Sequence, residues 1–288
     1  MHRAHNKFKD IYKLRKKCFT LLMTGVIVPL SVLTGGCGRG STEGEDEKFE
    51  NFTNALFCRE TASNTISLHY SLKDPEAYGI EEQPVTFGIF DTDSARTEAA
   101  LENTQKALEQ FEQRDLNVQN QVTYDVLEYY LKEAEKSADY ILYEEPLALV
   151  DGVQTQLPVV LSEYQFYDRD DVDTYLALLE TTGEYFDSLI TFERAKSQAG
   201  LFMADYTAET VIEQCRAFLD MGDGNYLYST FADRVKGVKE LTKEEISDYI
   251  QDNALAVSDY IFPAYEKLIS ALEELRGTGE NEKGLVYL

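Results

Sequence analysis

The residues able to do chemistry in this chain are few, and their spacing excludes more than it permits. Histidine occurs three times, as His2, His5 and His69. A His-Glu-x-x-His zinc site needs two imidazoles one helical turn apart with the intervening glutamate as base. Only His69 lies outside the basic N-terminal stretch, so that site cannot be assembled. A nucleophile paired with His69 lacks the glycine elbow that would expose a serine, because His69 sits in Leu68-His69-Tyr70. The residue reads as a partly buried, hydrogen-bonded structural histidine.

Carboxylates are abundant but unpaired in pattern. Asp168-Arg169-Asp170-Asp171-Val172-Asp173 has Val172 where a calcium loop needs its third ligand, and the turning glycine is missing. Asp168 at the head of an apolar-periodic run is instead an N-cap, accepting free amide hydrogens and opposing the helix dipole. Asp220-Met221-Gly222-Asp223-Gly224-Asn225 reads as a turn between helices. No spacing selects a general acid and base, so a carboxylate-based hydrolase is left as a third and weaker option, open but unsupported. Of the 19 tyrosines, Tyr124, Tyr129, Tyr130, Tyr164, Tyr167, Tyr175 and Tyr185 are placed to line a groove for peptide or sugar. The competing expectation is that rings at helical spacing are core or boundary residues.

One cysteine carries a definite chemical expectation. Leu33-Thr34-Gly35-Gly36-Cys37 follows a mostly apolar segment from Cys18 to Leu33, itself preceded by Arg3, Lys7, Lys9, Lys13, Arg15, Lys16 and Lys17. This is the order of a secretion signal. About 16 apolar residues interrupted by Pro29 fall short of the roughly 20 of a membrane span. The pattern looks like a lipoprotein signal cut before Cys37, whose sulfur then carries a diacylglycerol; an ordinary cleaved signal is the alternative. The expected location is extracytoplasmic, lipid-anchored to a bacterial cell membrane. Of the remaining cysteines, Cys58 and Cys215 are compatible with one disulfide or with two separate buried thiols.

Removing residues 1–36 takes away seven of 27 Lys and Arg and one of 52 acids, leaving 20 against 51, a formal charge of −31. That charge argues against nucleic acid and against electrostatic attraction to anionic lipid. About 240 residues follow the start of the chain's apolar periodicity near Phe49, enough for a substantial core. The elements that must position any site are helical. Phe49, Phe52, Leu56 and Phe57 share a helical face, as do Leu101, Leu108 and Phe111 within 93–114. From Asn117 to Ser137, Val118, Val122, Leu127, Tyr130 and Leu131 continue the pattern, with Thr123 and Glu128 on the polar side. Further helices are predicted over 171–182, 183–199, 208–219, 226–235 and 243–275, the last bending or breaking at Pro263.

Two stretches depart from this rhythm. Thr65–Tyr70 alternates and Pro84–Phe90 is β-branched and aromatic, which predicts a small hairpin or a pair of short strands. The fold class is therefore mainly α, a multi-helical bundle-like array with at most that hairpin. Residues 1–36 read as signal peptide, 37–48 as a flexible tether, and 49–288 as the helical region, with a sub-boundary at the turn-rich 151–158.

The order of segments resembles a bacterial family called domain of unknown function 885, in its lipoprotein branch. The run Ser67–Ile80 carries the likeness first. Thr123-Tyr124-Asp125-Val126-Leu127, Gly152-Val153-Gln154-Thr155-Gln156-Leu157-Pro158, Asp173–Leu179 and Gly200-Leu201 follow in order. The resemblance implies a largely helical protein grouped with gluzincin-type zinc peptidases, whose C-terminal half carries His-Glu-x-x-Pro-Gly-His. That signature does not occur in this sequence, and no catalytic or metal-ligating residue carries over. The resemblance thus implies the non-catalytic N-terminal portion, ending near Gly284–Leu288, with no cofactor of its own. Zinc, a peptide substrate and a C-terminal half belong to the full-length relative. The rival expectation is a self-contained surface lipoprotein that binds peptide or glycan.

Overall fold

The structure is a computed structural model that describes residues 42–280. Residues 1–36, Cys37 and the Gly284–Leu288 run lie outside the described residues. The chain divides into two compact units. One takes the described residues up to Gln83 together with Asp91–Ile141; the other takes Pro84–Phe90 and the described residues from Leu142 onward.

In the first unit, α1 (Thr42–Thr61), α2 (Thr65–Ser71), α3 (Ser94–Leu108) and α4 (Val118–Ser137) are the helices. α1 begins inside the segment expected to be a tether. Its first turns carry Glu45, Asp46 and Glu47, which favour the positive end of the helix dipole, and Lys48 pairs with Glu45 at 2.6 Å. Asp46 accepts from the backbone of Asn117 and the side chain of Asn120, both at 2.8 Å, fastening the head of α1 to the head of α4. Phe49, Leu108, Leu116 and Leu131 form the core, flanked by Phe52, Leu101, Phe111, Tyr124 and Leu127. Phe49 meets Phe111 edge-on, with ring centres 5.3 Å apart.

The first half of the expected hairpin is a helix. Asn64 caps it by accepting from Ser67 N–H at 2.7 Å, and this cap outweighs an alternation only six residues long. The second half is irregular, and there is no strand among the described residues. Its aromatic residues are explained by packing within the second unit: Phe87 and Phe90 lie 5.3 and 5.2 Å from Tyr185, and Phe90 N–H donates to Ser188 Oγ at 3.0 Å. Gly88 turns the chain at φ 88, conformational freedom a side chain would oppose.

The second unit contains α5 (Val153–Glu163), α6 (Arg169–Glu180), α7 (Thr182–Gln198), α8 (Asp205–Leu219), α9 (Tyr226–Val235), α10 (Lys243–Ala256) and α11 (Phe262–Leu275). α11 packs on α7 and α8, while α9 joins α5 to α10. Asp168 caps α6 as expected, accepting from Asp171 N–H at 3.1 Å. Residues 151–158 lead into and enter α5, and the division between the two units falls after Ile141.

Two prolines interrupt helical hydrogen bonding, and each is accommodated differently. Ahead of Pro263 the helix widens into a π turn, Val257–Ile261, with Phe262 N–H reaching the carbonyl of Val257, so the helix changes register and continues. Pro158 lies inside α5 and has no N–H for the carbonyl of Gln154 four residues earlier. The buried hydroxyl of Tyr265, on α11, donates to that carbonyl at 2.9 Å. Tyr265→Phe should therefore cost about 1–3 kcal/mol by leaving a buried acceptor empty. In a Pro158→Ala background, where residue 158 again offers an N–H, urea denaturation should show a clearly smaller loss. Equal losses in both backgrounds would disprove the pairing.

Candidate functional site

The residues singled out by sequence do not converge. His69 lies half-buried on α2 beside Tyr70, ring centres 5.2 Å apart and edge-on. Cys58 and Cys215 are both free thiols. Cys58 donates weakly to the Tyr78 carbonyl at 3.6 Å, while Cys215 is buried on α8, where desolvation pushes its thiol up to about 12. A thiol so protonated is a poor nucleophile. Asp220–Asn225 forms the expected turn, and buried Asn225 caps α9 by accepting from Leu227 N–H at 3.0 Å.

The seven tyrosines are scattered. Tyr164 and Tyr175 are buried, whereas Tyr129 and Tyr167 project into solvent. Tyr175 and Phe166 hold the guanidinium of Arg234 over their faces, at 5.3 and 4.7 Å from the ring centres. Arg234 also donates to the carbonyl of Tyr164. These rings are structural. Asp173 accepts from Tyr249 Oη–H at 2.6 Å, and Arg169 pairs with Glu245 at 2.5 Å, tying α6 to α10. Among the described residues, no group of three or more His, Cys, Asp or Glu is placed to hold a metal ion.

The most unusual chemistry lies on α7. Glu193 and Lys196 are completely buried. Lys196 Nζ donates to the carbonyl of Glu144 at 2.6 Å and reaches the Glu145 carboxylate at 3.1 Å. Both carboxylate oxygens of Glu193 are buried with no hydrogen-bond partner among the described residues. Burial dominates its ionisation and raises it to about 7; attraction to Lys196 opposes this and repulsion from Glu145 assists it. Burial likewise raises Glu144, with Lys196 opposing. The signal for this group was present in sequence. Thr182, Tyr185, Leu189, Glu193 and Lys196 recur at helical spacing, which puts two charges on the apolar stripe.

These charges seat the segment leading into α5. Val153 N–H donates to the Pro146 carbonyl at 2.9 Å, Gln154 Nε2 to the Ala148 carbonyl at 2.6 Å, and Gln214 Nε2 to the Leu149 carbonyl at 2.9 Å. A Cβ on Gly152 would overlap the backbone nitrogen of Ala148. Val150, 82% exposed, is presented at the tip of this clamped loop.

A second acidic group lines a groove of about 470 Å³ in the first unit, formed by Ala95, Glu98, Ala99, Glu102, Glu135 and Asp139. Hydrogen bonding to the Asp139 carboxylate favours protonated Glu98 and raises its ionisation, with desolvation and repulsion from Asp139 adding to this.

The described residues form a helical array in which buried charges fasten backbone. The chain belongs to the family described as "Bacterial protein of unknown function (DUF885)", whose profile matches residues 89–284. The match includes the Thr123, Gly152, Asp173 and Gly200 segments but not Ser67–Ile80. No curated protein matches the chain. A solved structure, "the putative lipoprotein from Colwellia psychrerythraea", superposes with a TM-score of 0.64 at 14% identity, over 83% of this chain and 42% of that one. At that identity the likeness is one of fold. The chain spans about two fifths of the length of that structure.

Glu193 makes stability depend on pH. Its ionisation is raised from 4.5 to about 7 in the folded state, so its contribution is complete below 4.5 and is lost as pH rises through 7. Stability should fall by about 3 kcal/mol across that interval from this group alone. Urea denaturation of Glu193→Gln should show most of that slope removed, with a smaller slope of the same sign left by Glu144. An unchanged slope would exclude Glu193 as the source.

Proposed function

We propose that this protein is an exported lipoprotein, anchored through Cys37, whose helices form the non-catalytic support of a zinc-peptidase-like assembly. It is inactive alone. The observation that carries the reading is the family match over 89–284, joined to a fold that accounts for only 42% of the length of the matched structure. In this reading the helical array forms one wall of a peptide-binding cleft, and a second, zinc-bearing half supplies the catalysis. The buried Glu193, Lys196 and Glu145 then hold the wall rigid rather than act on substrate. Nucleic acid is not a partner, since a formal charge of −31 after removal of residues 1–36 opposes it.

The rival reading, a self-contained lipoprotein that binds peptide or glycan, draws on the exposed rings of Tyr129 and Tyr167. Tyr129 belongs to the first unit and Tyr167 to the second.

Zinc content and peptidase activity measured on residues 38–288, and on the same chain extended through the coding sequence that follows, separate the readings. Zinc and activity confined to the extended protein are expected. Activity in the shorter protein, or in neither, would refute the support role. Cys37→Ala should shift the protein from the membrane to the soluble fraction, because anchoring requires the acyl chains. Retention of the variant in the membrane pellet would exclude this anchor.

A further inference from the structure

The outer face of α4 is apolar where the sequence pattern places it inward. Val118 is 79% exposed, Val122 59%, Val126 64% and Tyr129 69%. Their spacing of four, four and three residues puts them on one face of the helix. The opposite face carries Asn120, Tyr124, Leu127 and Leu131, which meet the core of the unit. β-Branched valines weaken an isolated helix and an exposed stripe of them gains nothing in water, so helix formation does not account for this face.

The position of the stripe identifies what covers it. Cys37 precedes Thr42, the first residue of α1, by five residues, a span of about 18 Å at full extension. Asp46, in the second turn of α1, accepts from Asn117 and Asn120 at 2.8 Å, and Glu50 accepts from Asn120 at 3.1 Å. The two helices run side by side in the same direction, with Phe49 stacked on Tyr124 at 6.2 Å. The head of α4 and Val118 are therefore beside the end of the tether. A lipid on Cys37 holds this edge of the unit at the bilayer surface.

We infer that the stripe of α4 lies on the bilayer that holds the Cys37 lipid, with Val118, Val122 and Val126 entering the headgroup region and Tyr129 at its boundary. This rests on the proposed anchoring at Cys37. Helices lying in the interface bury an apolar face to this depth, and tyrosine favours the same zone. From Val118 to Tyr129 the stripe runs about 16 Å, roughly half the thickness of the hydrocarbon core, so it lies on the membrane and does not cross it. The contact is apolar. Asp125, Glu128, Glu133 and Glu135 on the same helix outnumber Lys132 and Lys136, and would be repelled by anionic headgroups.

The chain contains no tryptophan, which makes the test direct. Lipidated full-length protein carrying Val122→Trp is reconstituted into phosphatidylcholine vesicles with brominated acyl chains, and mass spectrometry reports the lipid on Cys37. Emission should be blue-shifted and quenched about twofold relative to Glu240→Trp, as expected of a side chain 5–10 Å into the interface. Lipidated protein with an unquenched Trp overturns the inference while leaving the anchor intact. Absence of lipid on Cys37 overturns both. A blue shift without vesicles that grows with protein concentration also overturns it, since the stripe is then covered by a second copy.

Discussion

An ammonium group removed from water is tolerated only where its hydrogens and its charge are both answered, and the second unit is organised around meeting that condition for Lys196. Its partners are the Glu144 carbonyl and the Glu145 carboxylate, on the segment that leads from one unit into the other. The long side chain thus becomes a peg between α7 and an otherwise irregular stretch. A lost partner would leave a buried charge, a cost of about 3–5 kcal/mol. This single constraint fixes the course of residues 144–152, and the carbonyls accepting from Gln154 and Gln214 then fix where α5 begins. Glu193 is the unmatched member of the group. Burial disfavours its charged form, and its carboxyl gains no hydrogen bond among the described residues, so the local charge depends on pH near neutrality.

A similar logic governs Pro158. A proline inside a helix gives up one hydrogen bond, and the structure recovers it from another element rather than by ending the helix. Tyr265 is buried among Phe186 and Phe218, with ring centres 5.0 and 4.6 Å away, and its hydroxyl needs an acceptor that the apolar surroundings do not provide. The carbonyl of Gln154 is the one acceptor that α5 cannot use internally at this proline. Each defect satisfies the other, which couples α5 to α11 across 111 residues.

The helices were legible wherever an apolar period was long enough to average over exceptions. Residues 226–235 were bounded as they occur, and the Asp168 cap and the Asp220–Asn225 turn followed from side-chain chemistry acting over four residues. Short or mixed patterns were not legible. Thr65–Tyr70 alternates because small Ser67 is turned inward between larger neighbours, and its helix is set by Asn64 outside the alternation. Val153–Glu163 reads as a turn because Gly152 and Pro158 flank and interrupt it, although the glycine serves close approach to Ala148 and the proline is compensated from α11. The charged group on α7 had a spacing that placed it in the core. Its partners, Glu144 and Glu145, come from about 50 residues earlier, and no local pattern connects them.

Unit one shows why periodicity alone misassigns a face. α4 has apolar residues on both sides, so a pattern search accepts Val118 and Val122 as core along with Leu127 and Leu131. The deciding residues are polar. Asn120 must face α1, because Asp46 and Glu50 hold its amide, and the register this imposes turns Leu131 inward and the valines outward. An acidic chain of this kind cannot use lysine-rich patches to stay at a membrane. In the proposed anchored form, exposed apolar surface near the head of α1 would be the remaining means of orienting it. Under the proposed anchoring at Cys37, α4 is the helix where such surface would act, since its head is hydrogen-bonded to α1, whose first residue, Thr42, follows Cys37 by five residues, about 18 Å at full extension.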